Sequence, residues 1–349
     1  MGGCCCAAAS DASPNPNAAL FVATAATAQL SLPGISPAAQ LGSVKALMRV
    51  TETQDVAARE AVAQVPGLLA ALTNIIAGKG AAARDELVNV VRLNATWTVQ
   101  NLADLGDVRK DVPHERFDCA HAVYAAPGLV DALLATATLP ADTPAHLRAN
   151  LELVDAAFCA LRNMCGASLT VRRDLFLAGP NGLLGRIVGA AKLAMDSPHP
   201  EVLNHGVMLL YLLSREHRLL GELEMLVEQF GLVDFLLERA TKPAIALLVD
   251  ARSDRRAVEE RMQRMEQARL ATLVNLLKCE EGVDAVVNRP EALRFFLDMA
   301  MQAPARDTRE LAQEATRLVE AEGPLNSMPV VPVRSKSGSI KVLSVIGAG

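Results

Sequence analysis

Five times along the chain a short turn bearing Pro or Gly opens directly into an apolar helix, and this recurrence constrains the fold more than any other feature. The five are Val65-Pro66-Gly67-Leu68-Leu69, Ala126-Pro127-Gly128-Leu129-Val130, Pro180-Asn181-Gly182-Leu183-Leu184, Gln229-Phe230-Gly231-Leu232-Val233 and Arg289-Pro290-Glu291-Ala292-Leu293. The glycines, with Ala292 in the last place, stand 61, 54, 49 and 61 residues apart. Pro cannot continue a helix and Gly relieves the turn, so each mark reads as a corner between two helices that cross at an angle. A unit repeated at this spacing cannot bury its own apolar face. Neighbours must bury it for each other, which predicts a stacked array.

A second mark precedes the turns: a helix that ends in Asn followed by an apolar residue. It is present as Trp97-Thr98-Val99-Gln100-Asn101-Leu102, as Cys159-Ala160-Leu161-Arg162-Asn163-Met164 and as Leu273-Val274-Asn275-Leu276. Gly206 to Leu212 occupies the same place without the Asn. The helix expected over 87–103 carries its apolar stripe on Leu87, Val91, Ala95, Thr98 and Leu102, at helical spacing. One long helix is expected over 254–279, its charged N-terminal half a solvated face. Aromatic residues are only 3% of the chain, whereas Ala and Leu abound, which suits closely packed helices rather than a bulky globular core.

These marks resemble the armadillo repeat. Residues 163–188 carry the resemblance best, with Asn163-Met164, Arg172-Arg173, Ala178-Gly179-Pro180, Leu183-Leu184 and Ile187-Val188. The resemblance covers about 45–320 and implies an all-α, armadillo-like right-handed α-solenoid of about five repeats. Armadillo units are about 40–47 residues long. The longer spacing here predicts insertions, at 106–118, 139–149 and 241–256. On this reading residues 1–44 are a disordered, acylated spacer, 45–322 the solenoid and 323–349 a disordered tail. The resemblance further implies a concave groove lined by the third helix of each repeat. There Asn101, Asn163 and Asn275 would hold the backbone of a partner protein, with Trp97 one turn before Asn101. Leu102, Met164 and Leu276 would point into the stack. A single Trp is too few for the repeated pockets of a nuclear-import receptor.

The N-terminus, Met1-Gly2-Gly3-Cys4-Cys5-Cys6, adds a second signal. Gly2 becomes terminal once Met1 is removed and is the acceptor for a myristoyl chain; Cys4, Cys5 and Cys6 are placed for palmitate. One acyl chain binds a membrane only weakly, and a second makes anchoring stable. The usual motif has Ser or Thr where Cys6 stands. An acylated N-terminus ahead of a bare array resembles the acylated armadillo scaffolds of the yeast-vacuole and "armadillo repeats only" types. That implies a lipid-anchored adaptor on the cytosolic face of a membrane, recruiting a protein for tethering or trafficking. The alternative is a soluble armadillo adaptor for trafficking, cilia or import, with an incidental cysteine tail.

The net charge of −5, with both signs dispersed, argues against nucleic acid as partner. The four cysteines of the body are isolated and lack a CxxC pair, so no disulfide frame or structural zinc site is expected. His114, Cys119 and His121 are close in sequence but not at a helical ligand spacing. No phosphate loop or catalytic constellation is present. The expectation is therefore a protein without enzymatic activity, cofactor, metal or small-molecule substrate.

Overall fold

The computed structural model describes residues 15–52, 55–78, 86–104, 118–138, 144–215, 220–241, 255–287, 289–322, 333–334 and 340–341. The chain folds as an all-α, right-handed α-solenoid. It opens with α1 (Pro16–Leu30) and α2 (Pro37–Thr51). Five three-helix units follow. The first is α3 (Val56–Ala63), α4 (Leu68–Ile76) and α5 (Glu86–Ala103). The second is α6 (Cys119–Ala125), α7 (Leu129–Ala137) and α8 (Pro144–Ala167). The third is α9 (Leu169–Ala178), α10 (Leu183–Met195) and α11 (Pro200–Ser214). The fourth is α12 (Leu220–Glu228), α13 (Leu232–Thr241) and α14 (Arg255–Leu276). The last is α15 (Glu280–Val287), α16 (Pro290–Gln302) and α17 (Arg306–Glu322). Val333–Arg334 and Ile340–Lys341 pair as a two-residue antiparallel ladder.

Like helices stack on like. The third helices form one unbroken ladder, α2 on α5, then α8, α11, α14 and α17. Among the second helices α1 packs on α4, α4 on α7 and α7 on α10. The main apolar core runs from Ala19 to Val319, so each repeat buries its face against the next.

Local chemistry explains the element boundaries. Three of the first helices, α3, α6 and α9, begin at side-chain caps: Asp55 accepts from the Ala57 amide at 2.9 Å, Asp118 from His121 at 2.8 Å and Ser168 from Val171 at 3.3 Å. The Ser168 hydroxyl also donates to Asp118, which joins the starts of α6 and α9. The second helices begin at the recurring turn. Gly67 at φ +81° and Gly128 at φ +74° are left-handed there, a conformation that disfavours any residue with a Cβ. In the third repeat that role falls to Gly179 rather than Gly182.

The second and third helices are tied by a recurring arginine. Arg92 donates to the Ile76 carbonyl at 3.0 Å, Arg269 to Arg239 at 3.2 Å and Arg309 to Ala303 at 2.7 Å. Each places a cation on the otherwise unsatisfied C-terminal carbonyls of the second helix. Arg–Asp pairs cross three consecutive seams between repeats: Arg186 with Asp131, Arg239 with Asp196 and Arg289 with Asp234. Such exposed pairs contribute about 0–1 kcal/mol each, so they set register more than stability.

One boundary read from the sequence is corrected. Residues 1–44 do not lie wholly outside the array, because α1 and the start of α2 are packed into it. Ala19, Ala23 and Ala26 form a small-residue stripe that is almost fully buried. Between them α1 and α2 take the places of a second and a third helix, α1 packing on α4 and α2 on α5. The expected insertions lie mostly, and the expected tail almost wholly, outside the described residues. No single helix among the described residues is long and apolar enough to cross a membrane.

Candidate partner-binding face

The candidate site is the surface made by α5, α8, α11 and α14. Trp97 and Asn101 stand one turn apart on α5 and are both half-buried. Trp97 packs against Leu93 and against Leu153 and Ala156 of α8, filling the seam between the two helices. An aromatic ring held by the scaffold in this way has little rotational freedom left to lose on binding.

The three asparagines do more than face a groove. Asn163 donates to the Gln100 carbonyl at 3.2 Å, Asn101 to the Thr51 hydroxyl at 3.5 Å and Asn275 to the Ser214 hydroxyl at 3.3 Å. Each bond runs from one third helix to the one before it. The Asn101 carbonyl also accepts from the buried Arg59 at 3.1 Å, and Lys278 donates to Asn275 Oδ1 at 3.4 Å. Asn101 and Asn163 remain half-buried, whereas Asn275 is only 8% exposed. A primary amide offers two donor hydrogens and two acceptor lone pairs, so one inter-helix bond leaves capacity for a ligand. That capacity is accessible at Asn101 and Asn163 and largely closed at Asn275. The residues after them, Leu102, Met164 and Leu276, are fully buried, as the repeat pattern predicts.

The remaining sequence candidates separate. Cys119 is in the core, where burial pushes its thiol up to about 12. His121 instead faces Asp174 of α9 at 3.6 Å. His114, Gly2, Cys4, Cys5 and Cys6 lie outside the described residues. The sequence reading missed one constellation. Asp155 and Cys159 share the α8 stripe that leads to Asn163, and α11 brings His205 to them. The i, i+4 spacing of Asp155 and Cys159 was a visible signal; the third member lies 46 residues from Cys159 and only the stacking joins it.

No protein-family model and no curated protein matches the chain. Solved structures do. Two engineered proteins of the Northeast Structural Genomics Consortium superpose with a TM-score of 0.58 at 13% and 15% identity. The alignments cover 86% and 85% of this chain, and 98% and 58% of the respective proteins. A computationally designed armadillo repeat protein for modular peptide recognition superposes equally well, at TM-score 0.58 and 14% identity, over 84% of this chain and 98% of that one. The fold is thus an armadillo-like repeat solenoid.

Proposed function

We propose that this chain is a non-enzymatic, lipid-anchored scaffold. It is myristoylated at Gly2, palmitoylated on one or more of Cys4, Cys5 and Cys6, and recruits a protein segment to the cytosolic face of a membrane. The observation that carries the reading is the Met-Gly-Gly-Cys-Cys-Cys start ahead of an armadillo-like array. Only thirteen residues of chain separate Gly2 from the first packed helix at Pro16, so an acyl anchor would hold the solenoid close to the bilayer. The third-helix face supports the second half of the reading. It combines a seated aromatic, Trp97, with half-buried amides on adjacent helices, Asn101 and Asn163, a combination suited to the backbone of an extended peptide. One of the structural neighbours is itself designed for peptide recognition.

The test is fractionation combined with fatty-acid labelling in cells. The wild-type chain should take up both labels and pellet with membranes, and Gly2→Ala should lose both labels and move to the cytosol. Replacing all three N-terminal cysteines should leave weak, reversible binding through the single chain. A wild-type protein that takes up neither label and stays soluble sinks the anchoring and leaves a soluble adaptor.

A further inference from the structure

The third-helix face holds a group that peptide binding does not use. Nε2 of His205 on α11 lies 2.7 Å from Oδ1 of Asp155 and 3.5 Å from Sγ of Cys159, both on α8. The ligand atoms of all three residues fall within 4.8 Å of one another. The His205 side chain is 7% exposed and that of Asp155 41%, so the cluster is closed toward the core and open toward solvent. The His205 ring lies almost parallel to Phe158, at 3° with centroids 6.3 Å apart, which fixes its plane.

Two chemistries use Cys, His and Asp together, and the geometry separates them. A proton relay needs thiol and carboxylate on opposite ring nitrogens, so that one nitrogen takes a proton while the other is held by the acid. Here the same nitrogen, Nε2, faces both partners, and Nδ1 is farther from the thiol at 3.9 Å. With Nε2–H donating to Asp155, that nitrogen has no lone pair to receive the Cys159 proton. What the arrangement offers is convergence of one sulfur, one nitrogen and one oxygen on a single point.

We infer that Asp155, Cys159 and His205 form a binding site for a divalent cation of the zinc class. Tetrahedral zinc with Zn–S about 2.3 Å and Zn–N about 2.0–2.1 Å places its sulfur and nitrogen ligands about 3.5 Å apart. The observed separation of Sγ and Nε2 is 3.5 Å. The same geometry puts nitrogen and oxygen ligands about 3.4 Å apart, so the carboxylate, now 2.7 Å from Nε2, must move out by about 0.7 Å, and Asp155 sits on the open side where it has room. On binding, the thiol releases its proton to solvent and the imidazole carries its remaining proton on Nδ1. Thiolate and imidazole donors select zinc over the hard cations calcium and magnesium. Three protein ligands leave one coordination position on the solvent side, for water or for a donor from a bound partner. The site is independent of the membrane reading, since none of its residues belongs to the N-terminal segment.

The experiment uses the full chain with Cys4, Cys5 and Cys6 replaced by Ser, which removes competing thiols. Cobalt(II) serves as the spectroscopic probe, because a cobalt–thiolate bond gives a charge-transfer band. The band is expected to saturate at one equivalent and to be displaced by zinc(II). Cys159→Ser should abolish it. Asp155→Asn, a partly exposed position that leaves the fold intact, should weaken cobalt binding by about tenfold or more. Zinc should also slow alkylation of Cys159, read by mass spectrometry. Absence of the band, its survival in Cys159→Ser, or unchanged affinity in Asp155→Asn would each overturn the site. Circular dichroism of each variant confirms that the array is folded when the band is read.

Discussion

Asn163 and Gln100 are joined across the seam between the second and first repeats: the Asn163 amide donates to the Gln100 main-chain oxygen at 3.2 Å. The two residues are 63 positions apart in sequence. Asn101 and Asn275 make the equivalent inter-helix tie to a side-chain hydroxyl, that of Thr51 and of Ser214. The asparagine that marks the repeats is therefore a stacking device first, and its remaining amide positions are what a partner would use.

Asn163→Ala should lower stability by about 0.5–1.5 kcal/mol, the usual contribution of one neutral hydrogen bond. The Asn101→Ala and Asn163→Ala pair should cost more than either alone, and its departure from the sum measures coupling, because Asn163 bonds to Gln100, the neighbour of Asn101. Urea denaturation of single and double variants measures this. A double variant as stable as wild type would mean that the ties contribute nothing. If the pair also lowers affinity for an isolated partner while the array stays folded, the amides serve both tasks.

Leu102 and Met164 are fully buried one position beyond those amides. Truncation of either to Ala should cost about 2–5 kcal/mol through lost burial and the cavity left behind. The partner-contacting groups would be untouched. Loss of less than about 1 kcal/mol would show that the stack can collapse around the space.

Gly206 on α11 lies close against α10. A Cβ there would stand 2.6 Å from the Ala191 carbonyl oxygen and 2.9 Å from Ala194 Cβ. Gly206→Ala must push the two helices apart and should destabilise by about 1–3 kcal/mol. Gly189 in the middle of α10 is the control, since a Cβ there meets nothing within 4 Å. Gly189→Ala should raise stability by about 0.5–1 kcal/mol through helix propensity. Thermal melts of the two variants should shift in opposite directions, and shifts of the same sign would refute the packing argument.

Burial pushes the thiols of Cys119 and Cys165 up to about 12 and that of Cys279 up to about 11, from an ordinary value of 9.0. The folded chain thus holds these protons more tightly than the unfolded one. Their contribution to stability is full below about pH 9 and is lost as pH rises from there through the folded values. Denaturation at pH 8 and pH 10 should show lower stability at pH 10, and Cys165→Ala should flatten that fall. At neutral pH the three buried thiols should resist iodoacetamide until the chain unfolds. Labelling of Cys165 in the native protein would contradict its burial.

The repeat corners were legible because a left-handed glycine such as Gly67 is a local necessity, and the third-helix asparagines because each recurs just before a buried apolar residue such as Leu102. The pairing of α1 with α2 was not. A stripe of Ala19, Ala23 and Ala26 has little hydrophobic contrast with an alanine-rich background, so periodicity could not separate a packed helix from a spacer. The acceptors of the asparagine bonds were hidden for a different reason. Gln100 and Asn163 meet only because α5 and α8 stack, and no spacing rule along one helix carries that information. The meeting of His205 with Asp155 and Cys159 is of the same kind.

Between 49 and 58 residues of chain separate the starts of successive third helices, yet those helices pack directly against one another. Their separation is set by side-chain size at the contact, about 8–10 Å between axes. The extra residues enter between helices, where added length costs little closure entropy. The array therefore works as a ruler whose graduations are helices rather than residues. The segments between helices can lengthen, shorten or change chemistry while Trp97, Cys159 and Asn163 keep the same positions along the scale.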